Sequence, residues 1–191
     1  MTLRLRQTIS GLLFAVSSCI SVAATPTQDP ELRQRLIEAI NTASSFQDRF
    51  EAEVWLLDMS TRLITYIQDN RERLQLLKNI HREAKRAELQ PELVLAVIDI
   101  ESRFDRFAVS RAGAQGLMQI MPFWLNEIGH PDDNLLEINT NLRMGCTILK
   151  YYLDKENGDL RRALARYNGS LGSTVYPDKI FETLRIRWFR N

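Results

Sequence analysis

The chain has 191 residues, which is enough for one compact domain with a hydrophobic core, or for such a domain with a helical extension. Its 25 basic and 24 acidic residues give a formal net charge of +1, which leaves no electrostatic case for nucleic-acid binding. The two histidines, His81 and His130, stand far apart and offer no metal-ligand spacing. We therefore expect neither a metal nor another cofactor.

Residues 1–24 have the composition of a secretory signal. Arg4 and Arg6 precede an apolar stretch over residues 9–22, and small residues lead to a cleavage site after Ala24. The apolar stretch, of about 14 residues, is too short for a confident membrane span. The prediction is a protein exported to the periplasm.

Cys19 keeps an alternative open. Val16-Ser17-Ser18-Cys19 resembles a loose lipobox, the site at which bacterial lipoproteins are cut and acylated. Acylation of Cys19 would anchor the protein to a membrane. Cleavage after Ala24 would instead leave Cys146 as the only thiol, so no intramolecular disulfide could form. Cys146 lies in an apolar helical pattern and is predicted to be a small core residue.

Residues 25–88 are predicted to form an N-terminal helical segment. Apolar residues at helical spacing predict a first helix beginning near Pro30. Ser44 or Ser45 is a candidate cap for a second helix, whose predicted apolar stripe comprises Phe46, Phe50, Val54 and Leu57. A third helix is marked by Leu74, Leu77, Ile80, Ala84 and Ala87, and its charged opposite face is predicted to be solvated. Trp55 is predicted to be a core residue, and less readily a platform for sugars.

Residues 89–191 are also predicted to be helical, because no convincing run alternates apolar and polar residues in the manner of a strand. Helix boundaries are marked by proline or aspartate at the start and by glycine or asparagine at the end. The boundary residues are Pro91, Pro122, Gly129, Gly158, Asp159, Asn168 and Gly169. A last helix carries Ile180, Phe181 and Leu184. The predicted fold class is all-α.

Glu101 is the candidate catalytic residue. Val94, Val97 and Ile98 precede it at helical spacing, which places its carboxylate on the apolar face of its own helix. Burial and the negative end of the helix dipole should both raise its pKa, as a general acid at neutral pH requires. The alternative is a structural glutamate paired with a basic neighbour, and spacing alone does not separate the two.

Three ordered blocks of sequence include Glu101. They read Glu101-Ser102-x-Phe104 followed by Ala108-Val109-Ser110-x-Ala112-Gly113-Ala114-Gln115-Gly116-Leu117-Met118-Gln119-Ile120-Met121-Pro122, then Asn141-Leu142-x-x-Gly145, then Ala165-Arg166-Tyr167-Asn168-Gly169. In order and distance they closely resemble the signature of the family 1 lytic transglycosylases, the soluble-lytic-transglycosylase (SLT) enzymes that cut bacterial peptidoglycan. The resemblance covers residues 89–180 and implies a goose-type lysozyme-like helical fold. It makes residues 89–191 an SLT-like catalytic domain, preceded by the helical extension.

The resemblance also implies a mechanism on peptidoglycan glycan strands. Glu101 would protonate the oxygen between N-acetylmuramic acid and N-acetylglucosamine, and would then act as base toward the C6 hydroxyl of the same muramic acid. Because this nucleophile belongs to the substrate, one carboxylate can suffice and the product is a 1,6-anhydro sugar. Asp99 and Asp105, the candidates for a second carboxylate, are predicted to be solvated surface charges. The cleft residues implied by the resemblance are Ser110, Gly116, Gln119, Met121, Tyr167 and Asn168.

Two alternatives to the transglycosylase remain. The first is a muramidase, which would use water and leave a reducing end. The second is a catalytically quiet module that keeps the fold and binds or assembles the cell wall.

Overall fold

The computed structural model describes residues 34, 44–46 and 48–189. These residues form seven α-helices and a C-terminal π-helical turn: α1 Arg49–Leu63, α2 Asn70–Arg86, α3 Pro91–Glu101, α4 Trp124–Ile128, α5 Ile138–Lys155, α6 Leu160–Tyr167, α7 Val175–Thr183 and the turn Leu184–Trp188. No named strand occurs among the described residues, and the all-α prediction is confirmed. The predicted signal, Cys19 and Pro30 lie outside the described residues. Within the described part of the chain, no helix has the length and apolarity that spanning a membrane requires.

Helix α3 lies at the centre of the fold. Its residues 94–98 have no exposed surface, and the helix contacts α2, α7 and the π-helical turn. One hydrophobic cluster extends from α1 and α2 through α3 and α5 to α7 and the turn. Helices α1 and α2 therefore share their core with the helices that follow. Cys146 is fully buried in α5, as predicted, and burial raises the pKa of its thiol to about 12.

The cap predicted for α1 is wrong, and the apolar stripe is only partly confirmed, since Phe46 and Leu57 pack against the core and Phe50 does not. The side chain of Asp48 caps this helix by accepting a hydrogen bond of 2.8 Å from the backbone N–H of Glu51. A carboxylate is a strong N-cap and also interacts favourably with the helix dipole, so the helix begins here and not at Ser44 or Ser45. Phe50 is 75% exposed. The buried face lies to one side of the predicted stripe and comprises Ala52, Trp55, Leu56, Met59 and Leu63.

The core position predicted for Trp55 is confirmed, since only 4% of this residue is exposed. Its indole N–H donates a hydrogen bond of 2.7 Å to Glu92 in the first turn of α3. The ring also meets His81 of α2 edge-on, with the ring centroids 5.1 Å apart. Trp55 thus links α1 to both α2 and α3.

Asp99 is buried, with 3% of the residue exposed, so its predicted place on the surface is wrong. It lies on α3 and accepts hydrogen bonds from the Tyr66 hydroxyl at 2.9 Å and the Trp188 indole at 3.1 Å. The guanidinium of Arg187 forms an ion pair with the same carboxylate at 3.0 Å. These donors come from segments distant in sequence, and together they compensate the cost of burying the charge. Asp99 therefore fastens the π-helical turn to the central helix.

Candidate active site

Glu101 is the last residue of α3. Immediately after it the backbone enters the left-handed region at two successive residues, Arg103 with φ +52° and Phe104 with φ +66°. This conformation costs about 1 kcal/mol for each non-glycine residue. It turns Phe104 inward, where its ring packs between Tyr66 and Trp188 at centroid distances of 4.9 and 5.5 Å. Burial of Phe104 thus holds the turn that ends the helix at Glu101.

The carboxyl group of Glu101 is half-buried, and burial raises its pKa. The hydroxyl of Tyr176 donates a hydrogen bond of 2.6 Å to its Oε1 atom, which favours the charged form and partly opposes that shift. The predicted upward shift is confirmed, with burial as the larger effect. Among the described residues no basic side chain forms an ion pair with Glu101, so the structure does not contain the ion pair of the alternative interpretation.

Two tyrosines lie near Glu101. Tyr176 is 7% exposed in α7, and Tyr167 is half-buried at the end of α6. Burial raises the pKa of both phenols well above the ordinary value, and the nearby charge of Glu101 acts in the same direction. Both tyrosines therefore stay neutral hydrogen-bond donors at physiological pH.

Tyr176 is the contact that the sequence did not reveal. The resemblance implies Tyr167 as a cleft residue, and the hydroxyl of Tyr167 donates to the backbone carbonyl of Met118 at 2.8 Å. Tyr176 lies outside the three sequence blocks, and its distance from Glu101 in space depends on how α7 packs against α3. The sequence signal was only a tyrosine in the first turn of the last helix.

A loop over residues 108–120 faces this end of α3 and is held from outside by three side chains. Asn141, which is 1% exposed, accepts a hydrogen bond of 2.8 Å from the Met118 N–H and donates one of 2.9 Å to the Gln115 carbonyl. Tyr167 binds the Met118 carbonyl, as described above. Ser102, next to Glu101, donates to the Leu117 carbonyl at 2.8 Å. The loop is thus attached directly to the residue that follows Glu101.

Gly116 is required for this attachment. Its φ is +76°, and a Cβ atom at this position would overlap the side-chain nitrogen of Asn141 and the carbonyl oxygen of Leu135. The protein itself therefore fills the space beside the Gly116 α-carbon. The close approach of a glycan to Gly116 stays a prediction.

Gln119 and Ser110 bind within the loop. The amide nitrogen of Gln119 donates to the carbonyls of Ala108 at 3.1 Å and Gly116 at 2.9 Å. Because both partners are acceptors, they fix the orientation of the amide and leave its oxygen as the atom that can accept from a ligand. The Ser110 hydroxyl accepts from the Ala114 N–H at 3.0 Å and keeps its own hydrogen for donation. Isolated antiparallel bridges join Val109 to Gln115 and Gln115 to Ile120.

The remaining candidate residues differ in exposure. Met121 is half-buried directly after the loop, whereas Asn168 is exposed beyond Tyr167 and donates to the Ser170 hydroxyl at 3.0 Å. Asp105 is exposed, as predicted, and its carboxylate accepts from the Phe107 N–H at 2.9 Å. In the described residues no three His, Cys, Asp or Glu side chains are placed to hold a metal ion.

A cavity of about 480 Å³ lies at the other end of α3 and is lined by Lys85, Pro91 and Phe189, among others. Pro91 belongs to the first turn of the helix and Glu101 to its last. The cavity therefore does not contain the carboxyl group whose pKa is raised. We place the candidate active site at Glu101, where the titratable group and its hydrogen-bond donors converge.

Comparison with known proteins identifies the family. Residues 78–180, more than half of the chain, match the family model of the transglycosylase SLT domain. The chain therefore belongs to the transglycosylase SLT domain family. The matched range begins within α2 and includes Glu101, the loop and both tyrosines.

Curated relatives carry related names. A transglycosylase of Enterobacteria phage PRD1 is 29% identical over 120 residues, which cover 59% of this chain and 44% of the relative. Membrane-bound lytic murein transglycosylase C of Photorhabdus laumondii is 31% identical over 103 residues, covering 46% of this chain and 29% of the relative. The protein of that name from Yersinia pestis is 28% identical over 141 residues, covering 56% and 39%. The chain spans less than half the length of these relatives.

One solved structure is also similar. It is an inactive mutant of the lytic transglycosylase Slt from Pseudomonas aeruginosa, with 24% sequence identity and a TM-score of 0.46. The similarity covers 82% of this chain and 34% of the larger one.

Proposed function

We propose that the protein is a peptidoglycan lytic transglycosylase in which Glu101 is both the general acid and the general base. One observation carries the proposal: Glu101 is half-buried without an ion-pair partner among the described residues, its pKa is raised, and a neutral phenol donates to it at 2.6 Å. Membership of the SLT family supports the same reaction class. The substrate is the β-1,4 bond between N-acetylmuramic acid and N-acetylglucosamine.

In the first step Glu101 is protonated, as its raised pKa favours. It transfers the proton to the glycosidic oxygen while the bond from that oxygen to C1 of muramic acid breaks. The N-acetylglucosamine end leaves with a free hydroxyl. The resulting carboxylate keeps the hydrogen bond from Tyr176, which stabilises its charge.

In the second step the Glu101 carboxylate accepts the proton of the C6 hydroxyl as that oxygen attacks C1 of the same sugar. The product is a 1,6-anhydromuramic end, and Glu101 returns to its protonated form. No water is consumed. The attack is intramolecular, so it benefits from a high effective concentration of the nucleophile.

The positions of two aspartates favour a mechanism with one carboxylate. Both carboxylate oxygens of Asp99 are engaged by Tyr66, Arg187 and Trp188. Asp105 is exposed and bonds its own turn. The two acidic residues that flank Glu101 most closely are thus engaged elsewhere, and a nucleophile from the substrate replaces the second carboxylate that hydrolysis requires.

Loop residues supply recognition in this proposal. The free amide oxygen of Gln119 accepts from the N–H of an N-acetyl group, and the Ser110 hydroxyl donates to a sugar oxygen. Met121 and the ring of Tyr167 provide apolar walls that limit access of water to Glu101. Asn168 and the backbone at Gly116 are assigned to the same cleft.

Mass spectrometry of muropeptides released from purified cell wall tests the reaction. Products lighter by one water than the hydrolysed fragments support the transglycosylase, whereas reducing ends alone identify a muramidase. Glu101→Gln should lower turnover by at least ~10²-fold while wall binding persists, because glutamine is nearly isosteric but cannot transfer the proton. A correctly processed, folded protein that binds wall but releases nothing would identify the binding module.

The proposal includes export. Residues 1–24 are assigned as a signal peptide, residues 25–88 as the helical segment and residues 89–191 as the catalytic domain, with acylation at Cys19 as the alternative form of processing. Relatives whose names include "membrane-bound" support a location at the cell envelope. The mass of the mature protein distinguishes the two forms of processing. A chain beginning at Thr25 indicates a free periplasmic protein, and an acylated Cys19 indicates a lipoprotein.

A further inference from the structure

Four aromatic side chains form a continuous row on the surface made by α4 and α5. The ring of Phe123 contacts that of Trp124, with centroids 5.1 Å apart, and Trp124 meets Tyr152 edge-on at 6.3 Å. Tyr152 contacts Tyr151 at 5.3 Å. We call these four residues the aromatic row. None of them takes part in the chemistry assigned to Glu101.

The row combines a fixed base with accessible ends. Trp124 and Tyr152 are half-buried and pack against the hydrophobic core, which holds their rings in place. Phe123 and Tyr151 are 54% and 50% exposed. Exposing a large aromatic ring to water costs free energy. A contiguous group of exposed aromatic rings therefore indicates a site that binds a ligand or a partner.

Chemistry favours a carbohydrate as the occupant. The apolar face of a pyranose ring stacks on an aromatic ring, while its hydroxyls need hydrogen-bonding groups at the edge. Tyrosine and tryptophan provide both surfaces, because each has an apolar body and a polar tip. The Tyr151 hydroxyl is 3.4 Å from the ammonium of Lys155, which also lies 5.4 Å from the centre of the Tyr151 ring. This positive charge complements the lactyl carboxylate that muramic acid carries wherever its peptide has been removed.

The row also adjoins the candidate active site. The backbone N–H of Trp124 donates to the carbonyl of Met121 at 3.1 Å, so the row begins two residues after a proposed wall of the cleft. A polymer that leaves the cleft on the Met121 side would meet Phe123 first and Tyr151 last. We propose that the aromatic row is an outer binding surface for the glycan strand, which holds sugars remote from the bond being cleaved. This inference rests on the proposed function, since it assumes that the substrate is a glycan strand.

Binding is measured first, in the Glu101→Gln background so that the strand is not consumed. The probe is a set of purified glycan strands from which the peptides have been removed. Adding Phe123→Ala or Tyr151→Ala should weaken binding about fivefold each, the scale expected for loss of one aromatic contact. Tyr151→Phe keeps the ring and should restore most of the affinity. Phe50→Ala is the matched control, because Phe50 is 75% exposed on α1 and lies outside the row.

Turnover is measured in the protein with Glu101 intact. The ratio of kcat/KM for long strands to that for a short glycan fragment should fall about fivefold in each alanine variant, since only long strands reach the row. Cell-wall cleavage by the unmodified protein, measured in parallel, tests the proposed function separately.

Several results would overturn the inference while leaving the proposed function intact. The unmodified protein could cleave wall while the alanine variants bind and cleave long strands as it does. If the alanine variants bind intact peptidoglycan more weakly but bind peptide-free strands normally, the aromatic row contacts the peptides and not the glycan. If Phe50→Ala weakens binding equally, the effect is not specific to the aromatic row. Loss of affinity in Tyr151→Phe as large as in Tyr151→Ala would exclude ring stacking. Failure of the unmodified protein both to bind and to cleave would overturn both proposals.

Discussion

The hydroxyl of Tyr176 lies 2.6 Å from Oε1 of Glu101, although the two residues are 75 positions apart in the chain. The contact joins the end of α3 to the first turn of α7. It gives Glu101 a donor that stays neutral, because burial and the Glu101 charge both raise the pKa of Tyr176. A cationic partner would keep the carboxyl ionised, whereas this phenol stabilises the carboxylate without removing its ability to be protonated.

Tyr176→Phe should move the pH dependence of the reaction. Without the hydroxyl the carboxylate loses a hydrogen bond, so the pKa of Glu101 rises further. A general acid loses activity as pH rises through its pKa, and the alkaline limb of kcat/KM should therefore move to higher pH. Tyr167→Phe removes a hydroxyl that binds Met118 and should leave the limb in place. A limb unchanged in Tyr176→Phe would exclude the assigned role.

Glu101→Gln should be as stable as the unmodified protein or more stable at neutral pH. The pKa of Glu101 is raised on folding, so its ionisation destabilises the folded state, and stability is lost as pH rises through the folded pKa. Glutamine removes this loss. The difference between the two proteins should vanish below the ordinary glutamate pKa, which denaturant titrations at pH 4 and pH 7 measure. A variant that is strongly destabilised at pH 7 would indicate a structural glutamate.

Gly116→Ala should disrupt the loop far more than Gly113→Ala. Both glycines have positive φ, but only at Gly116 would a Cβ atom meet other atoms, those of Asn141 and Leu135. Backbone strain alone predicts a loss of about 1 kcal/mol for Gly113→Ala, and strain with overpacking predicts about 3 kcal/mol for Gly116→Ala. Thermal unfolding and wall-cleaving activity are the readouts. Equal losses in the two variants would show that the loop accommodates the methyl group.

Local patterns predicted the helices and the place of Glu101 because both depend on periodicity and capping. The start of α3 at Pro91 and the cap at Asp159 were read from single residues, and α3 carries Glu101 at its end as expected. The surface position predicted for Asp99 is wrong because its partners, Tyr66, Arg187 and Trp188, are distant in sequence. The contact between Tyr176 and Glu101 is absent from the sequence prediction for the same reason. Contacts that close long loops leave no local signal, whereas conformational preferences do.

Asp99→Asn should destabilise the protein by about 2 kcal/mol, because the amide group turns one acceptor of a buried side chain into a donor, and that side chain faces three donors. The resulting mismatch faces Tyr66, Arg187 or Trp188. Asp105→Asn is the matched control, since this residue is exposed and asparagine can still accept from the Phe107 N–H. Chemical unfolding compares the two. Similar stability in both variants would contradict the stabilising role of Asp99.

His81 should make the protein sensitive to mild acid. It is 2% exposed, stacks on Phe46 at 3.6 Å and lies 2.7 Å from the Ser45 hydroxyl. Burial lowers its pKa to about 4, with the charge of Lys85 acting in the same direction. The unfolded chain therefore binds a proton between about pH 6.5 and pH 4 that the folded protein excludes, which lowers stability by about 3 kcal/mol over that range.

The test is the free energy of unfolding at pH 7 and pH 4.5 in the unmodified protein and in His81→Gln. In the variant, the free energy of unfolding should differ much less between pH 7 and pH 4.5 than it does in the unmodified protein. His130→Gln provides the control, because His130 is exposed. A pH dependence that persists in His81→Gln would assign the acid sensitivity to other groups.

The attachment of the loop over residues 108–120 has a consequence for the thermodynamics of recognition. Asn141, Tyr167, Ser102 and Gln119 occupy its backbone groups with bonds made within the protein. If the proposed function holds, a glycan entering the cleft meets a backbone that these bonds already order, so little of the binding free energy is lost in ordering the receptor. The loss of conformational entropy then falls mainly on the sugar chain. Calorimetry with strands of increasing length should show an entropy penalty that follows the number of immobilised sugar units.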